Sequence, residues 1–172
     1  MQLRSLFTLL ALLCATAAFG QDNMPSAHAD IVNAQGQKIG TATLTQSSGG
    51  MHIDLNATQL PPGVHGIHVH AVGKCEGPDF KTAGGHFNPD AKKHGKDNPE
   101  GPHAGDLMNI VVDAKGNSKA ALVTSSVTLG PGPNTLFHEG GSALVIHEKE
   151  DDYKTDPSGN SGARIACGVV QK

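Results

Sequence analysis

Histidines recur between positions 66 and 147 at spacings that suit metal binding. The run Gly66-Ile67-His68-Val69-His70 places two imidazoles one residue apart, and five more potential ligands follow: His86, His94, His103, Asp106 and His147. Successive side chains of a strand point to opposite faces, so His68 and His70 project to the same side. Neutral imidazole binds zinc, copper, iron or nickel, so this pattern predicts a metal site.

Spacing divides these residues into two sets. One comes from two predicted strands and contains His68, His70 and His147; the other lies in a single long loop and contains His86, His94, His103 and Asp106. Three imidazoles and a carboxylate suit a closed tetrahedral zinc site. Two to four imidazoles with an open face suit a redox-active copper. The other histidines fit neither set and are interpreted as ordinary surface or strand residues: His28, His52, His65 and His138.

The elements that must position these ligands are predicted to be strands. Short alternating runs separated by Gly, Asn and Asp occur at 28–33, 38–46, 52–58, 65–71, 107–113, 119–125, 143–147 and 165–170. The segments 34–37 and 114–117 are typical of hairpin turns. No segment shows a sustained helical period with capping residues. Eight strands with regular turns predict an all-β sandwich or barrel.

The first twenty residues have the features of an export signal. A short positively charged start precedes the apolar run Ser5–Phe19, which is too short for a membrane span. We expect cleavage before Gln21, with cleavage after Ala17 as the alternative. Cys14 permits a lipoprotein interpretation, but it follows Leu13 where a small residue is expected, so stable membrane anchoring is disfavoured.

Residues 21–172 are predicted to form one domain with little affinity for nucleic acid. They number 152 and carry 12 basic and 16 acidic side chains, because Arg4 is the one charged residue in the signal; the net charge is therefore −4. This charge disfavours contact with phosphate backbones. Four aromatic residues are too few for a base-stacking surface: Phe80, Phe87, Phe137 and Tyr153.

Two cysteines remain after the signal is removed, Cys75 and Cys167. An even pair in an exported protein predicts one disulfide. It would anchor one end of the stretch 71–106, which is unusually long for a loop without regular structure. A metal bound by the ligands in this loop would organise the rest.

Six stretches together resemble the copper/zinc superoxide dismutases of the exported, bacterial kind. The first reads Gly-Ile-His-Val-His and the last contains Arg-Ile-Ala-Cys-Gly-Val; the six cover 66–70, 84–89, 101–107, 144–149, 151–152 and 159–169. The resemblance implies an all-β fold, an eight-stranded Greek-key β-barrel of the immunoglobulin-like sandwich type. Long metal-binding and electrostatic loops would extend from it.

The resemblance also implies a role for each candidate site residue. One copper per subunit would be held by His68, His70, His86 and His147, and one zinc by His86, His94, His103 and Asp106. His86 would bridge both metals and take part in catalysis. Asp151 would accept hydrogen bonds from His68 and His94, which fixes the orientation of both rings.

Superoxide would be the substrate, and the catalytic Arg164 would attract and orient it. The disulfide between Cys75 and Cys167 would fix the backbone near this arginine. Charged side chains of the segment 148–154 would shape the local field, which can raise the rate of anion capture. The products would be dioxygen and hydrogen peroxide, the compartment the periplasm, and a homodimer is a possible assembly.

Three other functions fit part of the pattern. An exported copper/zinc buffer needs the ligands but neither Arg164 nor Asp151. A copper-only relative would lack the zinc ligands. A zinc hydrolase would need an open zinc position and a general base, and no Glu lies at a suitable spacing from the ligands of the loop.

Overall fold

The computed structural model describes residues 24–172. The predicted export signal, its cleavage site and the lipoprotein position Cys14 lie outside the described residues. Nine strand segments account for the regular structure of that range: β1 Ser26–Asn33, β2 Lys38–Ser47, β3 Gly50–Ala57, β4 Gly63–His65, β5 Ile67–His70, β6 Ile110–Val112, β7 Ser118–Thr124, β8 Ala143–His147 and β9 Arg164–Val169. A single 3-10 turn, Lys81–Ala83, is the helical element of this range, and no helix in it is long and apolar enough to cross a bilayer.

Alternating residues build the hairpins of the sheet. In β3, Met51, Ile53 and Leu55 are buried while His52 and Asp54 are exposed, as the period of two requires. The β1–β2 hairpin turns at 34–37, as expected, where Asn33 accepts hydrogen bonds from two backbone amides of the turn. The predicted turn at 114–117 is also present, between β6 and β7.

The strands pair antiparallel in two sheets. The larger has the order β5-β8-β9-β1-β2-β3-β7, and the smaller pairs β4 with β6. Because β4 runs into β5 and β6 runs into β7, the short ladder joins the two ends of the large sheet and curls it into a barrel. The predicted strand 65–71 is therefore divided at Gly66, whose amide donates to the Lys149 carbonyl and whose carbonyl accepts from the His147 amide.

Strands β5 and β8 are buried on both faces. The inner face of β5 adds Ile67 and Val69 to the barrel core, and its outer face carries His68 and His70 beneath the long loop. A second, smaller cluster fills the space under that loop and contains Phe80, Ala83, Ala143, Val145 and Cys167. Continuous burial explains why these two strands lack the apolar–polar alternation of β3.

The long loop is attached to β5 by backbone hydrogen bonds. The amide of Val69 donates to the Gly105 carbonyl at 2.9 Å, and the amide of Phe87 donates to the Val69 carbonyl at 2.8 Å. A Cβ at position 105 would lie 2.3 Å from the Val69 carbonyl oxygen, so glycine is required for this close approach. The predicted disulfide between Cys75 and Cys167 is present, with a Cα–Cα distance of 5.6 Å.

Candidate metal centre

The histidines of the strands converge at one end of β5 and β8. His68, His70 and His147 are all at least 97% buried. A register irregularity between Ile146 and His147 turns the His147 imidazole, at the end of β8, toward the outer face of β5. As a result His147 Nε2 lies 3.4 Å from His70 Nε2.

The second set converges on a single carboxylate oxygen. Asp106 Oδ1 lies 2.9, 3.1 and 3.2 Å from the Nδ1 atoms of His86, His94 and His103. Tetrahedral zinc with bonds of about 2.0–2.1 Å places neighbouring ligand atoms about 3.3 Å apart. These four atoms therefore fit a tetrahedral zinc ion.

His86 belongs to both sets. Its Nδ1 faces Asp106, and its ring stacks on His68 with centroids 4.0 Å apart. Its Nε2 is buried without a hydrogen-bond partner among the described residues, and so is Nδ1 of His68. A buried polar atom without a partner is unfavourable, so two such imidazole nitrogens in one cluster point to a metal ion that both would bind.

Within residues 24–172, two groups of four residues satisfy the distance requirements of a metal ion, with potential ligand atoms within 4.8 Å of one another. One is His68, His70, His86 and His147, and the other is His68, His86, His94 and Asp106. We place His68 in the first group alone because its free atom, Nδ1, has no hydrogen-bond partner, whereas the Nδ1 atoms of the second set all lie within hydrogen-bond distance of Asp106 Oδ1. His103 then completes the second group, with its Nδ1 3.4 Å from Nδ1 of His86.

Burial keeps the imidazoles of the first group neutral. Loss of hydration, together with neighbouring imidazoles, lowers the pKa of His70 to about 2 and that of His147 to about 3. Burial also lowers the pKa of His86 to about 4, against the opposing hydrogen bond to Asp106. Neutral rings at physiological pH have a free lone pair, so protons do not compete with a metal there.

Asp151 connects the two groups. This carboxylate is 1% exposed; Oδ2 accepts from His68 Nε2 at 2.7 Å and Oδ1 from His94 Nε2 at 2.9 Å. Burial opposes its ionisation, but the hydrogen bonds from both histidines outweigh this and hold the pKa of Asp151 below its usual range. The same bonds direct the other nitrogen of each ring toward the metal groups.

Arg164 lies in a cavity of about 400 Å³ that opens beside the first group. The cavity is lined by His70, Gly85, His86, Asn88, His103, His147, Pro157, Ser158, Gly162 and Arg164. Two guanidinium nitrogens of Arg164 donate to the carbonyls of Phe80 and Gly84, each at 2.7 Å. Both carbonyls belong to the loop that the disulfide ties to β9, so the crosslink helps to hold this side chain.

The charged side chains expected to shape the local field do not line this cavity. Every one of them is exposed: Glu148, Lys149, Glu150, Asp152 and Lys154. These five side chains therefore lie farther from an anion in the cavity than Arg164 does. Among the described residues that line the cavity, Arg164 is the one arginine or lysine.

Some residues outside the expected sets have clear positions. His28 and His52 are exposed, and His138 stacks on Phe87 with ring centroids 5.0 Å apart; neither metal group includes them. His65, expected to have no role, is 2% exposed and contacts the carbonyls of His147 and Pro61 at 2.8 Å each. Sequence reasoning missed this contact because both partners are backbone carbonyls, which residue types do not reveal.

A family model described as copper/zinc superoxide dismutase (SODC) matches residues 38–170. The chain belongs to this family. Among its relatives, Superoxide dismutase (Cu-Zn) 1 of Aquifex aeolicus is 58% identical over 146 residues, which cover 84% of this chain and 86% of the relative.

Solved structures of copper/zinc superoxide dismutases and similar proteins share the fold. A SOD-like protein from Bacillus subtilis is 43% identical with a TM-score of 0.80, covering 83% of this chain and 96% of its own. The Cu/Zn superoxide dismutase from Brucella abortus is 30% identical with a TM-score of 0.71, covering 86% and 100%. With β4 and β5 counted as one strand divided at Gly66, the eight-stranded Greek-key β-barrel that the resemblance implies is confirmed, as are copper and zinc as the metals of the family.

Proposed function

We propose that this chain catalyses the dismutation of superoxide to dioxygen and hydrogen peroxide, using one copper and one zinc. The observation that carries the proposal is the pair of adjoining metal groups that share His86, with the cavity of Arg164 at their open side. Family membership at 58% identity to a copper/zinc enzyme supports the same activity.

The ligand assignment follows from the free ring nitrogens. Copper would be held by His68 Nδ1 and by Nε2 of His70, His86 and His147. Zinc would be held by Asp106 Oδ1 and by Nδ1 of His86, His94 and His103. These atoms are available because the opposite ring nitrogens already have partners. His68 and His94 bond to Asp151, His70 to the Gly84 carbonyl and His147 to the Gly162 carbonyl.

Copper, when bound, supplies one-electron redox chemistry. The residues of the chain attract the substrate and supply a proton. Arg164 carries a fixed positive charge at the cavity, which attracts superoxide and holds it at the open side of the copper group. His86 Nε2, when it is not bound to copper, would hold one proton and deliver it to the reduced superoxide. The second proton comes from solvent, so that two superoxide ions and two protons yield dioxygen and hydrogen peroxide.

We also propose that the protein is exported to the periplasm. The disulfide between Cys75 and Cys167 supports this because such crosslinks persist in oxidising compartments. Residues 1–20 as the signal, residues 21–172 as the mature domain and a homodimeric assembly stay predictions. N-terminal sequencing of the secreted protein and sedimentation velocity test them.

The exported metal buffer is disfavoured. A buffer does not need Arg164 held at the open side of the copper group by two hydrogen bonds of 2.7 Å. A copper-only protein does not need the convergence of three imidazoles on Asp106, and the closed zinc group offers a hydrolase no open position.

The test is reconstitution of residues 21–172 with copper and zinc, followed by superoxide decay and elemental analysis on one sample. We expect one copper and one zinc per chain and fast loss of superoxide that cyanide inhibits. The metal-free protein and the zinc-only protein are the controls and should be inactive. Two bound metals without superoxide loss would transfer the assignment to the buffer.

A further inference from the structure

Asn109 holds the backbone of Asp151 from both sides. Its Oδ1 accepts from the Asp151 amide at 3.0 Å, and its Nδ2 donates to the Asp151 carbonyl at 2.9 Å. The side-chain amide thus replaces a neighbouring strand for a residue 42 positions away. This contact joins the stretch that follows Asp106 to the segment that carries Asp151.

Tyr153 completes a closed circuit with the same two residues. Its hydroxyl accepts from the backbone amide of Asn109 at 2.8 Å, and its own backbone amide donates to Asp151 Oδ1 at 2.7 Å. The ammonium of Lys96 lies 4.4 Å from the centre of the tyrosine ring, and the amide of Asp97 donates to the Tyr153 carbonyl. The circuit therefore also contacts the loop that carries His94.

The backbone of Tyr153 shows that this circuit constrains the chain. Its φ is 61°, in the left-handed region that bulky side chains rarely adopt. Such a conformation persists where the surrounding contacts determine it. Here the contacts to Asn109 and Asp151 orient the Tyr153 amide toward Asp151 Oδ1, the oxygen that also accepts from His94.

We propose that Asn109 and Tyr153 are positioning residues that fix the Asp151 carboxylate between His68 and His94. They act on both metal groups through Asp151, and their side chains make no hydrogen bond to a residue of either ligand set. The inference rests on the ligand assignment proposed above. It predicts that loss of the Asn109 side chain weakens zinc binding, although this residue is not a zinc ligand.

The first measurement is zinc affinity of the full mature chain by competition with a chromophoric chelator. We expect Asn109→Ala to bind zinc about tenfold more weakly, the lower end of the range for residues that support a metal ligand. The visible spectrum of Co²⁺ in the zinc group should change as well. The matched control is Asn134→Ala, which removes a 2.8 Å bond from a partly buried asparagine to the Ser126 carbonyl, away from the metals. It should leave both readouts unchanged.

A double-mutant cycle separates positioning from a general loss of stability. In an Asp151→Ala background, Asn109→Ala should weaken zinc binding no further, because the group through which it acts is gone. Equal losses in both backgrounds, or equal losses in Asn109→Ala and Asn134→Ala, would overturn the proposal.

Tyr153→Phe provides the same cycle should Asn109→Ala fail to fold. It removes only the hydroxyl, and we expect about a threefold loss of zinc affinity, the effect of one hydrogen bond. The same loss in the Asp151→Ala background would contradict the proposal. Because zinc binding is read without superoxide, an inactive enzyme with the expected cycle would refute the proposed function and leave the positioning role standing.

Discussion

Removal of the disulfide should destabilise the metal-free protein and release Arg164. The crosslink joins residues 92 positions apart, and a closed loop of that length contributes about 4–5 kcal/mol to the free energy of unfolding in the chain-entropy model. For a domain of about 150 residues this corresponds to a melting temperature lower by roughly 10–18 °C. The variant that tests it is Cys75→Ala/Cys167→Ala.

The assay is urea unfolding of the metal-free protein at neutral pH, with the parent reduced by a phosphine as the control. Cys167 is fully buried, so alanine substitution also removes packing, whereas reduction keeps both sulfur atoms in place. Similar losses in the two samples assign the effect to the crosslink. A loss below about 1 kcal/mol in the reduced parent would refute the reasoning.

The crosslink should also matter for catalysis in the metal-loaded protein. The carbonyls of Phe80 and Gly84 that hold Arg164 lie on the segment anchored by Cys75. Without the anchor we expect the rate at low superoxide to fall with unchanged copper content. An unchanged rate would mean that the buried cluster around Phe80 holds this segment without the disulfide.

Three further predictions address individual groups. His147→Ala should lose copper and activity while keeping zinc, because the zinc group does not include it; elemental analysis checks this, and retained copper would contradict the assignment. Arg164→Ala should lower the rate at low superoxide about tenfold and weaken its dependence on ionic strength, with copper content unchanged; rate measurements between low and high salt test it. The metal-free protein should lose stability as pH falls below 6.5, because the unfolded state then takes up protons that the buried rings of His70, His86 and His147 refuse until pH 4 or below. Each ring contributes up to about 1.4 kcal/mol per pH unit. His94 acts oppositely, since its hydrogen bonds to two carboxylates outweigh burial and raise its pKa to about 9; its contribution is lost as pH rises from 6.5 to 9. Urea unfolding at pH 5, 7 and 9 measures both effects. Equal stability at pH 7 and pH 5 would refute the contribution of His70, His86 and His147.

Strands with one exposed face, such as β3, were predictable because buried and exposed positions alternate along them. The predicted 143–147 agrees with β8 residue for residue although this strand is buried on both faces, and β2 differs from its prediction by one residue. The segment 107–113 was too long, since β6 begins only at Ile110. The backbone amide of the preceding Asn109 donates to the Tyr153 hydroxyl instead of taking part in the ladder with β4.

The convergence of the candidate ligands was predictable because imidazoles at fixed spacings, and the motifs around them, are visible in the chain itself. The residues that hold these side chains in place were not predictable. Asn109 and Tyr153 meet Asp151 only because the loops fold onto each other, and no periodicity links positions 42 residues apart. His65 was missed for a similar reason: its partner is the backbone carbonyl of His147, which leaves no trace in residue type.

The attachment of the long loop to β5 has a consequence for the solubility of the protein. In the described sheet β5 is an end strand, and its outer edge is occupied by the backbone of Phe87 and Gly105. An uncovered strand edge pairs readily with other chains. The loop that carries the proposed zinc ligands therefore also covers this edge, and a chain in which this loop has lost its order presents β5 as a template for aggregation. The segment 71–106 thus both carries the proposed zinc ligands and protects the β5 edge against self-association.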